Sequence, residues 1–270
     1  MKEIFRFLHK AAVCACLCAL PSACDDKPGW MPWDDDPNFG KKEEPSTDAE
    51  IGRTLPLWTE GCMDIHAVNT GRGECTFIVF PDGTTLLIDA GEAGTADNSV
   101  AQKPSALYAP YEVYSRYIKH FMPDASKKID YALLTHFHND HLGSITSTAA
   151  PLNTEGNYRR TGMYGVCDQV GFAKWVDRIY PDYNQSAIVS TDITTGGDTQ
   201  TAIFTEYNKS RNGMECEKFD LGSSSQFVLK YKPSDYNFTV QNVASSGVVK
   251  VGKTTQDVYG SGTGENGKSC

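Results

Sequence analysis

Three of the six histidines in this 270-residue chain fall within six positions, in Thr135-His136-Phe137-His138-Asn139-Asp140-His141-Leu142-Gly143. The apolar run Ile129–Leu134 comes directly before them and has the length and composition of a buried strand. Side chains two apart on an extended segment share a face, so His136 and His138 can bind one ion together. Asp140 and His141 then turn the other way and can reach a second ion. Mixed imidazole and carboxylate donors suit zinc best, with manganese or iron as alternatives.

The surrounding pattern supplies the sheet. Met63–Val68, Cys75–Phe80 and Thr85–Ile88 read as strands, and Pro81-Asp82-Gly83 marks a hairpin turn. Tyr111–Phe121 reads as a helix with Tyr114, Tyr117, Ile118 and Phe121 on one face, stopped by Pro123. His66 on the opening strand and His120 on that helix are expected outside the site, as structural histidines.

His136, His138, Asp140 and His141 resemble the metal signature of the metallo-β-lactamase-fold superfamily. Leu86-Leu87-Ile88-Asp89-Ala90-Gly91 resembles the earlier strand of that family, which ends in Asp-x-Gly. Ile65 to Glu74, with its Gly71-Arg72-Gly73 turn, resembles the opening strand and glycine turn of the DNA-uptake competence proteins in the same superfamily. Asn69-Thr70 departs from their usual Asp-Val. The resemblance covers about Met63 to Gly143. It implies an α/β (α+β) fold, an αββα sandwich with a two-metal site at the sheet edge. It also implies that Asp89 and Gly91 support the metal loop without binding metal. Asp140 would hold the second metal and orient a metal-activated hydroxide, or accept its proton, as that nucleophile attacks an ester, phosphodiester or amide.

Beyond His141 the chain has no histidine, whereas the family supplies two more and a bridging aspartate. Cys216 or Asp192 could stand in for a ligand, but a core thiol and an exposed acid are the ordinary readings. Val170–Tyr180 reads as a helix ended by Pro181, and Asn184–Met214 as loop or insertion. Phe227–Tyr231 and Phe238–Val243 read as strands, with Val248–Val251 as a third. Gly264-Glu265-Asn266-Gly267-Lys268-Ser269-Cys270 resembles the turn that opens the second sheet in the competence branch. The expectation is a domain truncated after its first half, with the inner face of its sheet exposed.

The front of the chain is of another kind. Lys2, Arg6 and Lys10 precede the uncharged apolar run Ala11–Leu20, and small residues lead to Cys24. Residues 1–23 read as a secretory signal and Leu20–Cys24 resembles a bacterial lipobox, with Cys24 as the lipidated residue. Residues 24–50 carry nine acids against three bases and four prolines, and read as an acidic tether. The domain is then residues 51–270, lipid-anchored in the cell envelope at the outer membrane or cell surface. Of the formal −9, only −5 belongs to residues 51–270, which argues against strong nucleic-acid binding through charge. Five cysteines remain there, an odd count that defines no disulfide framework.

The expected function is a metal-dependent hydrolase acting on a small-molecule or phosphodiester substrate. The alternative is a non-catalytic cell-surface binding module on a degenerate or truncated metallo-fold.

Overall fold

The computed structural model describes residues 54–94, 100–124, 126–145, 150–183, 199–258 and 269–270. The signal segment, Cys24, the tether, Asp192 and Gly264–Lys268 lie outside the described residues. The fold is mixed α/β, built on a mixed sheet, consistent with a metallo-β-lactamase-like α/β sandwich. Strands β1 (Asp64–Ala67), β2 (Thr76–Val79) and β3 (Thr85–Ile88) run antiparallel to one another. Strands β4 (Ile129–Leu134), β5 (Phe172–Asp177) and β6 (Glu215–Lys218) then add in parallel, so the six lie in chain order. The first three agree with the sequence reading to within a residue or two at each end.

Because β3, β4, β5 and β6 are parallel, their carboxyl ends share one edge, and parallel pairing requires a crossover between each. Helix α1 (Pro110–Phe121) makes the first crossover. Pro110 has no N–H to lose at the first helical position, and the Glu112 carboxylate accepts the Ala109 N–H at 2.9 Å. Helix α2 (Asn139–Leu142) and helix α3 (Gly162–Gln169) make the second, and helix α4 (Gln200–Ser210) the third.

Two sequence expectations fail here, for different reasons. Val170–Tyr180 is not a helix: Gly171, at φ +87°, ends the turn after α3, and β5 follows. Apolar Trp175 and Val176 face opposite sides of the sheet, a spacing that also fits a helix when a segment is buried on both faces. The stretch expected as loop up to Met214 contains α4, whose Thr199 Oγ1 caps the Ala202 N–H and whose Ile203, Phe204 and Tyr207 are buried. Polar residues on its outer face hide that amphipathic stripe.

The helices cover one face of the sheet. Phe77, Val79, Leu87, Ala132, Leu134 and Trp175 point into that core, where they meet Tyr114, Ile118, Met163, Val166 and Tyr207. The other face is not exposed, contrary to expectation. Leu86, Tyr131, Leu133 and Val176 are buried there beneath Phe219, Phe227 and Leu229, with Tyr236, Phe238 and Val240 packed around them.

The covering segment is not sheet. Phe227–Tyr231 and Phe238–Val243 form no strand, although Phe227 and Leu229 alternate inward as the sequence pattern requires. The second is held at its end by backbone, with Asn242 N–H donating to Ser223 O at 2.9 Å and Lys250 N–H to Val243 O at 2.7 Å, whereas the first is held by side chains. Val228 N–H reaches the Tyr131 hydroxyl at 3.3 Å and Lys230 N–H reaches Thr84 Oγ1 at 2.7 Å. Tyr231 and Lys232 N–H groups both donate to Asp82 Oδ2, at 2.8 and 3.0 Å. Val248–Val251 is a strand (β8), as read, and lies between β7 (Ala244–Ser245) and β9 (Thr254–Asp257) in a separate antiparallel sheet.

The five cysteines of the domain are free: Cys75 and Cys167 buried, Cys216 and Cys270 half-buried, Cys62 exposed. Cys216 packs against the helical core, as an ordinary core thiol does. His66 lies among Phe77, Tyr117 and Phe121, its Nδ1 3.1 Å from the Tyr117 hydroxyl, and burial holds its imidazole below the usual value. His120 stacks edge-on to Phe121. Among the described residues no helix is long and apolar enough to cross a membrane.

Candidate metal centre

The site forms where β3 and β4 end side by side. β3 runs out at Ile88, and Asp89 adopts the left-handed conformation at φ +55°, which side chains other than glycine, asparagine and aspartate rarely take. That turn aims the buried Asp89 carboxylate across at the end of β4. Its Oδ1 accepts the Thr135 N–H at 2.8 Å. Its Oδ2 accepts the Thr135 hydroxyl at 2.7 Å and lies 2.8 Å from His141 Nδ1.

This arrangement fixes two imidazoles. In neutral His141 the proton sits on Nδ1, because a carboxylate can only accept, and Nε2 keeps its lone pair. Thr135 has one hydroxyl proton and spends it on Asp89, so toward His136 Nδ1, 3.1 Å away, it acts as acceptor. His136 therefore also carries its proton on Nδ1 and its lone pair on Nε2. An outer carboxylate that sets the tautomer of a ligating histidine is a recurrent feature of metal sites. Burial alone would lower the His141 imidazole, but the bond to Asp89 and the charges of Asp89, Asp140 and Glu74 outweigh it and hold it above the ordinary value.

The three histidines are neighbours. The His136 ring centroid is 4.8 Å from that of His138 and 4.0 Å from that of His141. Asp140 is half-exposed, with Oδ2 3.7 Å from His141 Nε2. All four residues expected as ligands thus lie at one strand end, with Asp89 behind them. The donor types fit a divalent cation such as zinc. Their convergence is incomplete: among the described residues, no three His, Cys, Asp or Glu side chains are placed as a ready-made cation site.

The loop is held against the sheet edge by backbone. Glu74 N–H donates to Asp140 O at 2.9 Å, Gly91 N–H to Glu74 O at 2.8 Å, and Ala90 N–H to His141 O at 3.0 Å. That approach leaves no room for side chains. A Cβ on Gly91 would lie 1.7 Å from the Asp140 carbonyl oxygen, and one on Gly73 would lie 2.3 Å from it. The Asp-x-Gly ending and the second glycine of the Gly71-Arg72-Gly73 turn are therefore needed for the same contact, with the Asp140 peptide.

Two contributors escape a motif reading. Thr135 is the polar residue that ends β4, and only the geometry shows it linking Asp89 to His136. Glu92 follows the Asp-x-Gly ending and nothing in its spacing distinguishes it, yet it is half-buried with its carboxylate at the start of two helices. Tyr111 N–H and Gly162 N–H both donate to its Oε2, at 3.3 and 2.9 Å. Burial pushes this carboxyl up to about 7, against the pull of those two N–H groups.

No curated protein and no solved structure matches the chain. One family model does: residues 68–147, which enclose the glycine turn, Asp89, Gly91 and all three clustered histidines, match the model of the metallo-beta-lactamase superfamily.

Proposed function

We propose that this protein is a zinc-dependent hydrolase whose ligands are drawn from His136, His138, Asp140 and His141. The observation that carries this reading is the Asp89–Thr135–His136 and Asp89–His141 network, which gives two adjacent imidazoles a lone pair on Nε2. Structural histidines do not need a shared tautomer. When bound, zinc would supply Lewis acidity and a hydrolytic nucleophile near neutral pH. The chain's own contributions are separable. His136 and His141 present fixed Nε2 donors, and His138 is the third candidate donor. Asp140, half-exposed at the mouth of the loop, is the group placed to orient a nucleophile or take its proton. A phosphodiester substrate is preferred over a β-lactam, on the resemblance of Ile65–Glu74 to the competence branch.

The test is metal content of the whole chain as purified, set beside His138→Ala and His141→Ala, together with hydrolysis of bis(4-nitrophenyl) phosphate and of a chromogenic β-lactam. Substoichiometric zinc in both variants and phosphodiesterase activity lost with it support the reading. Equal metal in all three proteins overturns the ligand assignment.

A second reading has its own support. The incomplete convergence of donors among the described residues fits a binding module that keeps the fold without catalysis. It predicts neither bound zinc nor turnover. In either case we place the protein outside the cytoplasm on a lipid anchor at Cys24. Cys24→Ala should move it from the membrane to the soluble fraction, and unchanged membrane association would remove that part.

A further inference from the structure

We propose that Glu92 is a positioning residue for the histidine loop, clamping α2 at both ends and tying that clamp to the starts of α1 and α3. The importance of the loop rests on the metal reading above; the clamp itself does not.

The backbone of Glu92 brackets α2. Its N–H donates to Asn139 O at 2.9 Å, at the first residue of the helix. Its carbonyl accepts the Ser144 N–H at 3.1 Å, just past the last. Asn139 O also takes the Gly143 N–H at 2.9 Å, so the single turn carrying Asp140 and His141 is closed on itself and on Glu92. A four-residue helix has too few internal bonds to hold its own geometry, so outside bonds decide where its side chains point.

The Glu92 side chain then anchors the clamp. One oxygen, Oε2, receives N–H groups from the first turns of α1 and α3. These are donors that a helix leaves without an internal partner. Gly162, at φ +49°, allows α3 to start there: a Cβ on it would lie 2.4 Å from Leu142 O and 2.6 Å from Ala90 O. The end of β3, the histidine loop and the N-terminus of α3 thus meet at van der Waals distance, with the Glu92 carboxyl beside them. Moving Oε2 by the length of one methylene would break both side-chain bonds at once.

Reach is decisive in this clamp and charge is secondary. A glutamine has the same reach and an acceptor oxygen; an aspartate has the charge and falls short. The experiment is amide hydrogen exchange on the whole chain without added metal, following Gly143 and Ser144, with the ring ¹⁵N shifts of His141 as a second readout. Glu92→Gln should retain wild-type protection and the His141 Nδ1–H signature. Glu92→Asp should lose at least tenfold in protection at both amides and shift the His141 signals toward tautomer exchange. Wild-type behaviour of Glu92→Asp, or loss in Glu92→Gln with retention in Glu92→Asp, overturns the proposal. Zinc titration of the same proteins separates the two ideas. If wild type binds no zinc while the exchange pattern holds, the metal reading fails and the clamp stands. If zinc binding depends on His138 while Glu92→Asp exchanges like wild type, the reverse holds.

Discussion

Two carboxylates hold two regions of this domain, and they do so with opposite electrostatics. Glu92 sits behind the histidine loop on the helical side, accepting two helix N–H groups in a site so desolvated that its carboxyl rises to about 7. Asp82 sits at the hairpin turn and holds the covering segment on the other face. Burial would raise it as well, but the N–H groups of Lys232, Thr84 and Tyr231 and the Thr84 side chain outweigh that and hold it below the ordinary value. The difference lies in the number of donors and in neighbouring charge, since both groups hold a neighbouring segment in place. Asp82, with three backbone donors and the Thr84 side chain, gains from its charge. Glu92, with two backbone donors and the charge of Glu112 nearby, is burdened by it.

The largest expected effect tests whether the two faces are equal partners in stability. Trp175 is fully buried on the helical face, between Phe172 and Tyr207. Trp175→Ala should cost about 3–5 kcal/mol in denaturant unfolding. Leu229→Ala, in the irregular cover, should cost about 2–3 kcal/mol, because an unpaired segment can settle into the gap more easily than a sheet can. Equal losses would mean that the cover is packed as rigidly as the helices.

The next effect is in pH. A folded pKa near 7 against an ordinary 4.5 means that the folded state holds the Glu92 proton more tightly than the unfolded chain does. Its contribution is therefore complete below pH 4.5 and is lost as pH rises through 7, by an amount on the order of 3 kcal/mol. Glu112 adds to this, since its charge also raises Glu92. Glu92→Gln should flatten the fall in unfolding free energy between pH 5 and 8. An unchanged slope would assign the pH dependence to other groups. Asp82 runs the other way. Its folded pKa is lowered, so its contribution is present above the ordinary 3.8 and is lost as pH falls through the folded value. Asp82→Asn should cost about 1–2 kcal/mol at neutral pH. It should also speed proteolysis within residues 227–240 while leaving α1 and α3 protected.

How far these features are legible in the sequence follows from what each depends on. The histidine cluster, Asp89 and Gly91 are local: a strand end, a spacing and a turn, each written in adjacent residues. β1, β2 and α1 are legible because each has a clear period, and β3 and β4 because each is a short apolar run bounded by turn or polar residues. β5 is not, because its apolar positions extend from Val170 to Ile179, the length of a helix, and burial on both faces leaves no alternation to separate Trp175 and Val176 from a helical stripe. The strands expected at Phe227–Tyr231 and Phe238–Val243 fail differently. Their inward alternation is real, since Phe227 and Leu229 are buried, but periodicity reports only where side chains go. It does not report whether the backbone bonds to a strand or to Asp82, Thr84 and Tyr131. Glu92 is illegible for a related reason: its partners Tyr111 and Gly162 lie 19 and 70 residues away, and a carboxylate beside a glycine looks like an exposed turn.

That distinction makes the smallest prediction the sharpest. Tyr131 lies in β4 with its ring against Phe227, and its hydroxyl donates to Val228 O at 3.0 Å and accepts the Val228 N–H at 3.3 Å. A strand partner would supply both bonds from backbone, and no side-chain change could remove them. Here one hydroxyl supplies both, so Tyr131→Phe should leave the ring packing intact and strip Val228 of its two partners. The expected cost is about 1 kcal/mol, with faster amide exchange confined to Val228 and its neighbours. An effect on stability without local exchange would mean that the ring, rather than the hydroxyl, holds the cover in place. The two faces of the sheet would then differ only in regularity, and both would be held by burial.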